Sequence, residues 1–275
     1  GRRPMDSALI RELLEQVCGT VRAAGEAILG AAAGDIETDY KRDGSPITTA
    51  DRAAHHIVSH RLRALEMGWP VISEEGSTPE GPRDGPFWLV DPLDGTREFR
   101  KGLDEYTVNV ALVEEGRPVL GAVHAPARSL CYFGAEGTGA WREDMEGVHT
   151  LPLEQERSLR PVGVISRSHA SDEVMALLER LGIQRVVRRG SSLKMCSVAE
   201  DSAQIYPRFG PTYPWDTAAG TAVARAAGCK VLDLTGRPLD YSRPSEKHHG
   251  FVVYRAGSGV ARELESMWQS EGAVS

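Results

Sequence analysis

The sequence predicts a protein that mixes α-helices and β-strands. Apolar residues recur at helical spacing near the start, short apolar runs bounded by turn residues follow, and strand and helix patterns alternate beyond about residue 150. The chain has 275 residues, of which 41% are apolar and 26% are charged, which is typical of a globular protein with a sizeable buried core.

Two amphipathic helices are predicted before any strand. Between Ser7 and Leu29 apolar residues recur at three- and four-residue intervals, and Asp6 or Ser7 can cap the start of this helix. A second helix is predicted after the polar stretch 41–46, with Thr49 as its cap and apolar residues continuing to Leu65.

Five short strands are predicted next. The apolar runs 70–73 and 87–90 each end in acidic residues. The runs 107–113, 118–124 and 129–133 are separated by turn residues, which predicts an antiparallel meander. The glycine-rich stretch that follows, 134–139, is interpreted as a hairpin turn, because its glycines are in the wrong order for a dinucleotide-binding fingerprint.

Helices and strands alternate in the last part of the chain. Strands are predicted at 162–165, 185–188, 204–206, 231–232 and 251–254, and helices at 172–181, 193–201, 215–227 and 261–268. The change of pattern predicts a boundary between an N-terminal α+β domain, 1–155, and a C-terminal α/β domain, 156–275.

Two carboxylates three residues apart follow the second apolar run, in the segment 91–96 (DPLDGT). Pro92 cannot continue a central strand, so the strand is expected to end at Asp91. Gly95 would let a ligand approach the backbone, and the free amides of a helix starting near this point would face an anion. The carboxylates and the carbonyl of Leu93 suit a hard cation such as Mg²⁺.

Each of these acidic residues also has an ordinary structural interpretation. Asp-Gly is a common turn dipeptide, and either aspartate of the segment 91–96 could cap a helix. However, Asp51, Glu74 and Asp216 also stand at the ends of predicted elements. Like charges that converge on one place are costly unless cations neutralise them. The pattern therefore favours a metal centre.

These motifs resemble the inositol monophosphatase superfamily of metal-dependent, lithium-sensitive phosphatases. The resemblance covers nearly the whole chain and rests on the segments 74–75 (EE), 91–96 (DPLDGT) and 215–220 (WDTAAG). The segments 165–169 (ISRSH), 190–194 (GSSLK) and 203–211 (AQIYPRFGP) are similar to those of bacterial 3'(2'),5'-bisphosphate nucleotidases of the CysQ type. The resemblance implies an α+β or α/β layered sandwich, the inositol monophosphatase-like fold, with the site between its two halves.

The resemblance also implies a role for each matching residue. The expected metal ligands, for two or three Mg²⁺ ions, are Glu74, Asp91, Leu93, Asp94 and Asp216. The expected catalytic residues are Asp51 and Thr96, which match the pair that activates the attacking water, together with Glu74. The expected substrate-binding residues are Glu74, Leu93, Asp94, Gly95, Thr96, His169, Ser191, Lys194, Arg208 and Asp216.

A bisphosphate substrate needs cationic groups away from the metals. The candidate groups are Arg167, Arg188, Arg189, Lys194 and Arg208, with the hydroxyls of Ser191 and Ser192. Of these, the resemblance ranks Lys194 and Arg208 first, and it implies that His169 lies near the nucleoside.

The resulting hypothesis is magnesium-dependent hydrolysis of the 3'-phosphate of adenosine 3',5'-bisphosphate to AMP and phosphate, by a metal-activated water. The sulfated form, 3'-phosphoadenylyl sulfate, is a second candidate substrate and would connect the enzyme to sulfur metabolism. Two alternatives stay open. One is an inositol monophosphatase-type phosphomonoesterase with the same metal core, and the other is a non-catalytic nucleotide-binding regulator, which would lack part of the acidic set.

The composition narrows the expected partners. A net charge of -7 argues against a nucleic acid polymer, and a small nucleotide is the expected partner. No apolar run is long enough for a transmembrane helix, and the amphipathic start does not read as a signal peptide. Four scattered cysteines are typical of a reducing compartment, so a cytoplasmic location is expected. Peripheral contact with the inner face of the membrane and the oligomeric state are left open.

Overall fold

The computed structural model describes residues 5–34, 36–154, 160–167 and 170–274, and these residues form five layers. A pair of helices covers one face of a seven-stranded sheet, a second pair lies between this sheet and a five-stranded sheet, and a third pair covers the far face of the smaller sheet. The fold is thus the expected layered sandwich. Three buried apolar clusters fill the spaces between helices and sheets.

The larger sheet has the strand order β3-β4-β5-β6-β7-β8-β9. Its strands are β3 Val71–Ser73, β4 Phe87–Asp94, β5 Thr107–Glu114, β6 Arg117–Ala125, β7 Leu130–Ala135, β8 Gly139–Asp144 and β9 Gly147–Thr150. Strand β3 runs parallel to β4, and every other pair is antiparallel. Because both faces of the sheet are covered by helices, β4 buries Trp88 on one side and Leu89 on the other, and the strand reads as a continuous apolar run.

The smaller sheet has the order β11-β10-β12-β14-β13. Its strands are β10 Val162–Ser166, β11 Arg185–Arg189, β12 Ile205–Thr212, β13 Cys229–Leu232 and β14 His248–Arg255. Strand β10 pairs in parallel with β11 and β12, and β14 pairs antiparallel with β12 and β13. A separate two-stranded hairpin is formed by β1 Thr38–Tyr40 and β2 Pro46–Thr48.

Seven α-helices lie within the described residues. They are α1 Ser7–Ala32, α2 Thr49–Arg63, α3 Thr96–Arg100, α4 Asp172–Arg180, α5 Leu193–Ala199, α6 Pro214–Ala226 and α7 Gly259–Glu271. Helices α1 and α2 form the first layer, α5 and α6 the central one, and α4 and α7 the last. Asp6 caps α1 by accepting a hydrogen bond from the Ala8 amide. None of the helices in the described part of the chain is long and apolar enough to cross a membrane.

Three expectations for the N-terminal half are wrong. The hairpin β1–β2 lies between the first two helices, so strands do precede the second helix. The cap of α2 is Thr48 and not Thr49, because Thr48 has the extended backbone that places its hydroxyl over the amide of Asp51. The strand β4 does not end at Asp91 but continues to Asp94, because a bulge absorbs Pro92, whose missing amide would otherwise interrupt the ladder.

Other differences concern the ends and number of strands. The strands β8 and β9 extend the predicted meander, and β12 runs six residues further than the predicted 204–206, to Thr212. His248 begins β14, where its Nε2 lies 2.8 Å from the carbonyl oxygen of Asp240. All four cysteines are free and buried. The predicted boundary at 155/156 lies outside the described residues.

Candidate active site

The segment 91–96 turns from the larger sheet into the helix α3. Pairing with β5 passes from Asp91 opposite Asn109 to Asp94 opposite Thr107, so the two residues between the aspartates bulge out of the ladder. Gly95 then adopts a left-handed backbone with φ 89°, and a Cβ atom there would lie 3.0 Å from the carbonyl oxygen of Glu105. The bulge and the turn together bring both aspartates to one end of β4.

Three carboxylates meet beside this turn. Ligand oxygens of Glu74, Asp91 and Asp216 all lie within 4.8 Å of one another, although the residues come from three separate parts of the chain. Glu74 follows β3 and is held by a 3.0 Å hydrogen bond from its amide to the carbonyl oxygen of Val90. Asp216 lies in the first turn of α6, where its Oδ2 accepts a 3.1 Å hydrogen bond from the amide of Tyr213.

The carboxylates of this cluster are held in an environment that opposes their ionisation. Burial, followed by the charges of neighbouring carboxylates, raises the pKa values of Asp91 and Asp216 well above the usual range. Burial also raises the pKa of Asp94 to about 6, although the ammonium of Lys194 and the amide of Ser192 act in the opposite direction. A divalent cation would remove this repulsion, and the buried oxygen donors are those that Mg²⁺ prefers. The residues present therefore fit a hard metal ion.

Asp51 and Thr96 form a hydrogen-bonded pair next to the cluster. Thr96 Oγ1 lies 3.0 Å from Asp51 Oδ1 and 3.2 Å from the carbonyl oxygen of Leu93. The other carboxylate oxygen of Asp51 accepts hydrogen bonds of 2.7 Å from the Thr48 amide and 2.5 Å from the Thr48 hydroxyl. The capping box of α2 thus orients Asp51, and burial raises the pKa of its carboxyl.

A cavity of about 200 Å³ adjoins the carboxylates. Its wall contains Asp94, Gly95 and Asp216 together with the candidate substrate residues Ser191, Lys194 and Arg208. Lys194 is 6% exposed, and its Nζ donates a 2.8 Å hydrogen bond to the carbonyl oxygen of Ser191 and lies 5.6 Å from the centre of the Tyr206 ring. Two buried polar atoms in this wall, Ser191 Oγ and Arg208 Nε, have no hydrogen-bond partner within the described residues.

The sequence-predicted residues therefore come together with one exception. Asp51, Glu74, Asp91, Leu93, Asp94, Gly95, Thr96, Ser191, Lys194, Arg208 and Asp216 surround the carboxylate cluster and the adjoining cavity. His169 lies outside the described residues. Among the other candidate cations, Arg167 is held by Glu105 through contacts of 2.6 and 2.8 Å, so its charge is already paired. The guanidinium groups of Arg188 and Arg189 donate to backbone carbonyl groups.

Lys41 is a site residue that the sequence analysis missed. Its Nζ donates hydrogen bonds of 2.7 Å to Glu74 Oε1 and 2.6 Å to Glu75 Oε1. Burial raises the pKa of Glu75 to about 7 in spite of this contact. In the sequence, Lys41 is only a lysine beside the turn Asp43-Gly44-Ser45. No local pattern indicates that it contacts Glu74, which is 33 positions further along the chain.

Known proteins resemble this chain over nearly its whole length. Residues 9–266 match the inositol monophosphatase family. The chain belongs to the inositol monophosphatase family. The 3'(2'),5'-bisphosphate nucleotidase CysQ of Salmonella typhimurium is 48% identical over 246 residues, which are 88% of this chain and 99% of that protein. The protein of the same name from Escherichia coli K12 has the same identity and coverage.

Solved structures of the family share the fold. The crystal structure of CysQ from Bacteroides thetaiotaomicron superposes with a TM-score of 0.79 at 36% identity, covering 92% of this chain and all of that one (100%). The inositol monophosphatase of Thermotoga maritima has a TM-score of 0.75 at 24% identity, covering 94% and 98% of the two chains, and this likeness concerns the fold alone. Enzymes of the inositol monophosphatase family are metal-dependent, which agrees with the fit of the carboxylate cluster.

Proposed function

We propose that this chain is a 3'(2'),5'-bisphosphate nucleotidase that hydrolyses the 3'-phosphate of adenosine 3',5'-bisphosphate to AMP and phosphate. The single observation that supports this activity best is the junction of a buried carboxylate cluster with a cavity that carries Lys194 and Arg208. The junction provides for one phosphate beside the carboxylates and a second phosphate beside the cations. The names of the CysQ relatives favour the same substrate. The sulfated form, 3'-phosphoadenylyl sulfate, is a further candidate.

The metal in this proposal is Mg²⁺, bound as two or three ions. Glu74, Asp91, Asp94, Asp216 and the carbonyl of Leu93 would hold it. When bound, it would lower the pKa of a coordinated water and offset charge on the phosphate. The chain itself keeps these oxygens close together, through the bulge in β4 and the first turn of α6.

Asp51 and Thr96 would take the proton of the attacking water. The 3.0 Å contact lets the Thr96 hydroxyl donate to Asp51 Oδ1 while its lone pair accepts from a water molecule. Because burial raises the pKa of Asp51, its carboxylate is a stronger base than an exposed aspartate. The two hydrogen bonds from Thr48 hold the carboxylate in one orientation, so no rotation is needed before the proton moves.

The second phosphate would be bound by the cationic and hydroxyl groups of the cavity wall. Lys194 and Arg208 provide the positive charge, and the unpartnered Oγ of Ser191 and Nε of Arg208 can donate to phosphate oxygens. Buried polar atoms without partners are costly, and a ligand that satisfies them gains that free energy on binding. An inositol monophosphate has no second phosphate to occupy this wall.

Magnesium-dependent phosphate release from a small substrate panel tests the proposal. Adenosine 3',5'-bisphosphate, inositol 1-phosphate and fructose 1,6-bisphosphate would be compared, with the nucleotide product identified by chromatography. We expect the highest kcat/KM for the adenosine bisphosphate, AMP as its product, and inhibition by lithium. Faster release from inositol 1-phosphate would favour the phosphomonoesterase alternative, and binding of the nucleotide without release would favour the regulator.

Two further expectations remain proposals. We propose the division into residues 1–155 and 156–275, with the site between the two parts. A cytoplasmic location also remains a prediction, and the described residues offer no support for the peripheral membrane contact that the sequence analysis left open.

A further inference from the structure

Three buried polar side chains occupy alternate positions from Glu105 into the first half of β5. Glu105, two residues before the start of the strand, and Thr107 and Asn109 within it are all buried, with no more than 1% of each residue exposed. Successive side chains of extended chain point to opposite faces, so residues two apart share a face. All three reach the segment 190–192 of the other half of the chain, and we call this set the polar ladder.

The hydrogen bonds of Thr107, Asn109 and Ser192 form a closed ring. The Ser192 hydroxyl donates to Asn109 Oδ1 at 2.6 Å, and the amide of Asn109 donates to Thr107 Oγ1 at 3.0 Å. Each hydroxyl has only one proton. The 2.7 Å contact between the hydroxyls must therefore run from Thr107 to Ser192, which leaves every proton of the ring directed at an acceptor. Such a satisfied buried network specifies one geometry for the segment that it holds.

Glu105 holds the other end of the segment. Its Oε2 accepts a 2.7 Å hydrogen bond from the amide of Gly190, and a Cβ atom at Gly190 would lie 3.0 Å from both Cβ and the carbonyl oxygen of Glu105. The close approach explains the glycine. Guanidinium groups of Arg128, at 3.0 Å, and Arg167, at 2.6 Å, pair with the same carboxylate, so its burial leaves no uncompensated charge.

The segment 190–192 also contributes to the candidate active site. Ser191 has a left-handed backbone with φ 50°, an unusual conformation for a residue with a side chain. The residue lines the cavity, and its buried Oγ has no hydrogen-bond partner within the described residues. Its carbonyl oxygen accepts the hydrogen bond from Lys194 Nζ. A displacement of the segment would therefore move Ser191 together with the carbonyl group that holds Lys194, the candidate phosphate-binding cation.

We propose that Glu105, Thr107 and Asn109 are positioning residues that hold the segment 190–192 in the conformation that binds the second phosphate of the substrate. The inference rests on the proposed function only for the identity of the ligand. The contacts between the polar ladder and the segment 190–192 are present whatever the ligand is.

The test uses the full-length protein with the substitutions Glu105→Gln and Thr107→Val, which retain size and remove the charge or the hydroxyl. Glu136→Gln is the matched control, because Glu136 also pairs with two arginines, Arg117 at 2.9 Å and Arg225 at 3.1 Å, but on an exposed turn outside the cavity. Hydrogen exchange of the backbone amides of 190–192 reports on the segment without any substrate. Steady-state kinetics with adenosine 3',5'-bisphosphate at saturating Mg²⁺ reports on binding.

We expect both ladder variants to exchange these amides at least tenfold faster than the wild type and to raise KM about tenfold, with kcat changed less than about threefold. The control should change neither the exchange nor KM, and the melting temperature of each variant identifies simple loss of stability. Unchanged amide exchange in Thr107→Val would overturn the holding role. Faster exchange with an unchanged KM would overturn the link to the substrate. A wild type that does not hydrolyse the bisphosphate would contradict the proposed function, while the exchange experiment would still decide the role of the ladder.

Discussion

Replacement of Asp94 by asparagine should raise the stability of the metal-free protein while it removes activity. The carboxyl of Asp94 has its pKa raised from an ordinary value of 3.8 to about 6. Between these two pH values the folded protein holds a proton that the unfolded chain has released, so the folded state loses stability as the pH rises through this window. Above about pH 6 the full cost of the buried charge is present.

The size of the effect follows from the same pKa values. Each pKa unit corresponds to about 1.4 kcal/mol, so ionised Asp94 costs up to about 3 kcal/mol of folding free energy in the absence of metal. Asparagine has nearly the same size and cannot ionise, so it removes this cost with little change in packing. At about 2–4 °C per kcal/mol, the metal-free Asp94→Asn protein should melt about 6–12 °C above the wild type at pH 8. At pH 4 the two proteins should melt at nearly the same temperature.

Thermal unfolding in EDTA at pH 4 and pH 8, together with phosphate release in Mg²⁺, measures both effects. Loss of a metal ligand should reduce kcat/KM by more than about a hundredfold, since even the partners that orient ligands are worth tenfold to a hundredfold. Asp84→Asn is the control, because Asp84 is an exposed carboxylate in the connection before β4. A metal-free variant that melts below the wild type at pH 8 would refute the electrostatic reasoning. Near-normal turnover would refute the assigned metal role.

Three further outcomes are expected. Thr96→Val should lower kcat by about 10²–10⁴ with a smaller change in KM, because it removes the hydroxyl bonded to Asp51, whereas the control Thr138→Val on the β7–β8 turn should leave kcat unchanged. A kcat of Thr96→Val equal to that of the wild type in steady-state assays would contradict the proton pathway. The rise in melting temperature on adding Mg²⁺ should be larger at pH 8 than at pH 5, because the raised pKa values of Asp91, Asp94 and Asp216 keep protons on these groups at pH 5 that the metal must displace. A rise that does not depend on pH would argue against these groups as ligands. Tyr241→Phe should lower the free energy of unfolding by about 1–3 kcal/mol, measured by calorimetry, and leave kcat/KM unchanged, because the buried hydroxyls of Thr217 and Thr221 each lose a hydrogen-bond partner. An unchanged free energy of unfolding would show that the two hydroxyls find other partners.

Much of the site could be predicted because its key residues are close in sequence. The segment 91–96 contains two carboxylates, a carbonyl and a glycine turn within six residues, and its chemistry is visible without knowledge of the fold. Asp216 could be included only as an acidic residue at the start of a predicted helix, and its role as a metal ligand came from the family resemblance. Its position depends on the packing of α6 between the two sheets, which no local pattern of residues specifies.

The features that were missed depend on contacts between distant parts of the chain. The strands β1, β2 and β9 have three or four residues each, too few for an alternating pattern to be recognised. Thr48 and Thr49 have the same capping chemistry, and the choice between them follows from the pairing of β2 with β1, which keeps Thr48 extended. Lys41 and Glu105 are ordinary charged residues in the sequence, and their roles follow from partners 33 and 85 positions away.

The position of α6 connects the stability of the fold to the chemistry of the site. Its small residues Ala218 and Ala219 belong to the buried cluster between the sheets, and Gly121 of β6 approaches so closely that a Cβ atom there would lie 2.9 Å from Ala219. This tight packing fixes the first turn of the helix, where Asp216 faces Glu74 and Asp91. A protein chain would not gather these charges for stability alone, since each raises the cost of ionising the others. The tight packing of α6 thus allows an electrostatically unfavourable cluster to persist until a cation binds. If this packing is loosened, we expect the carboxylates to move apart before the sheets unfold.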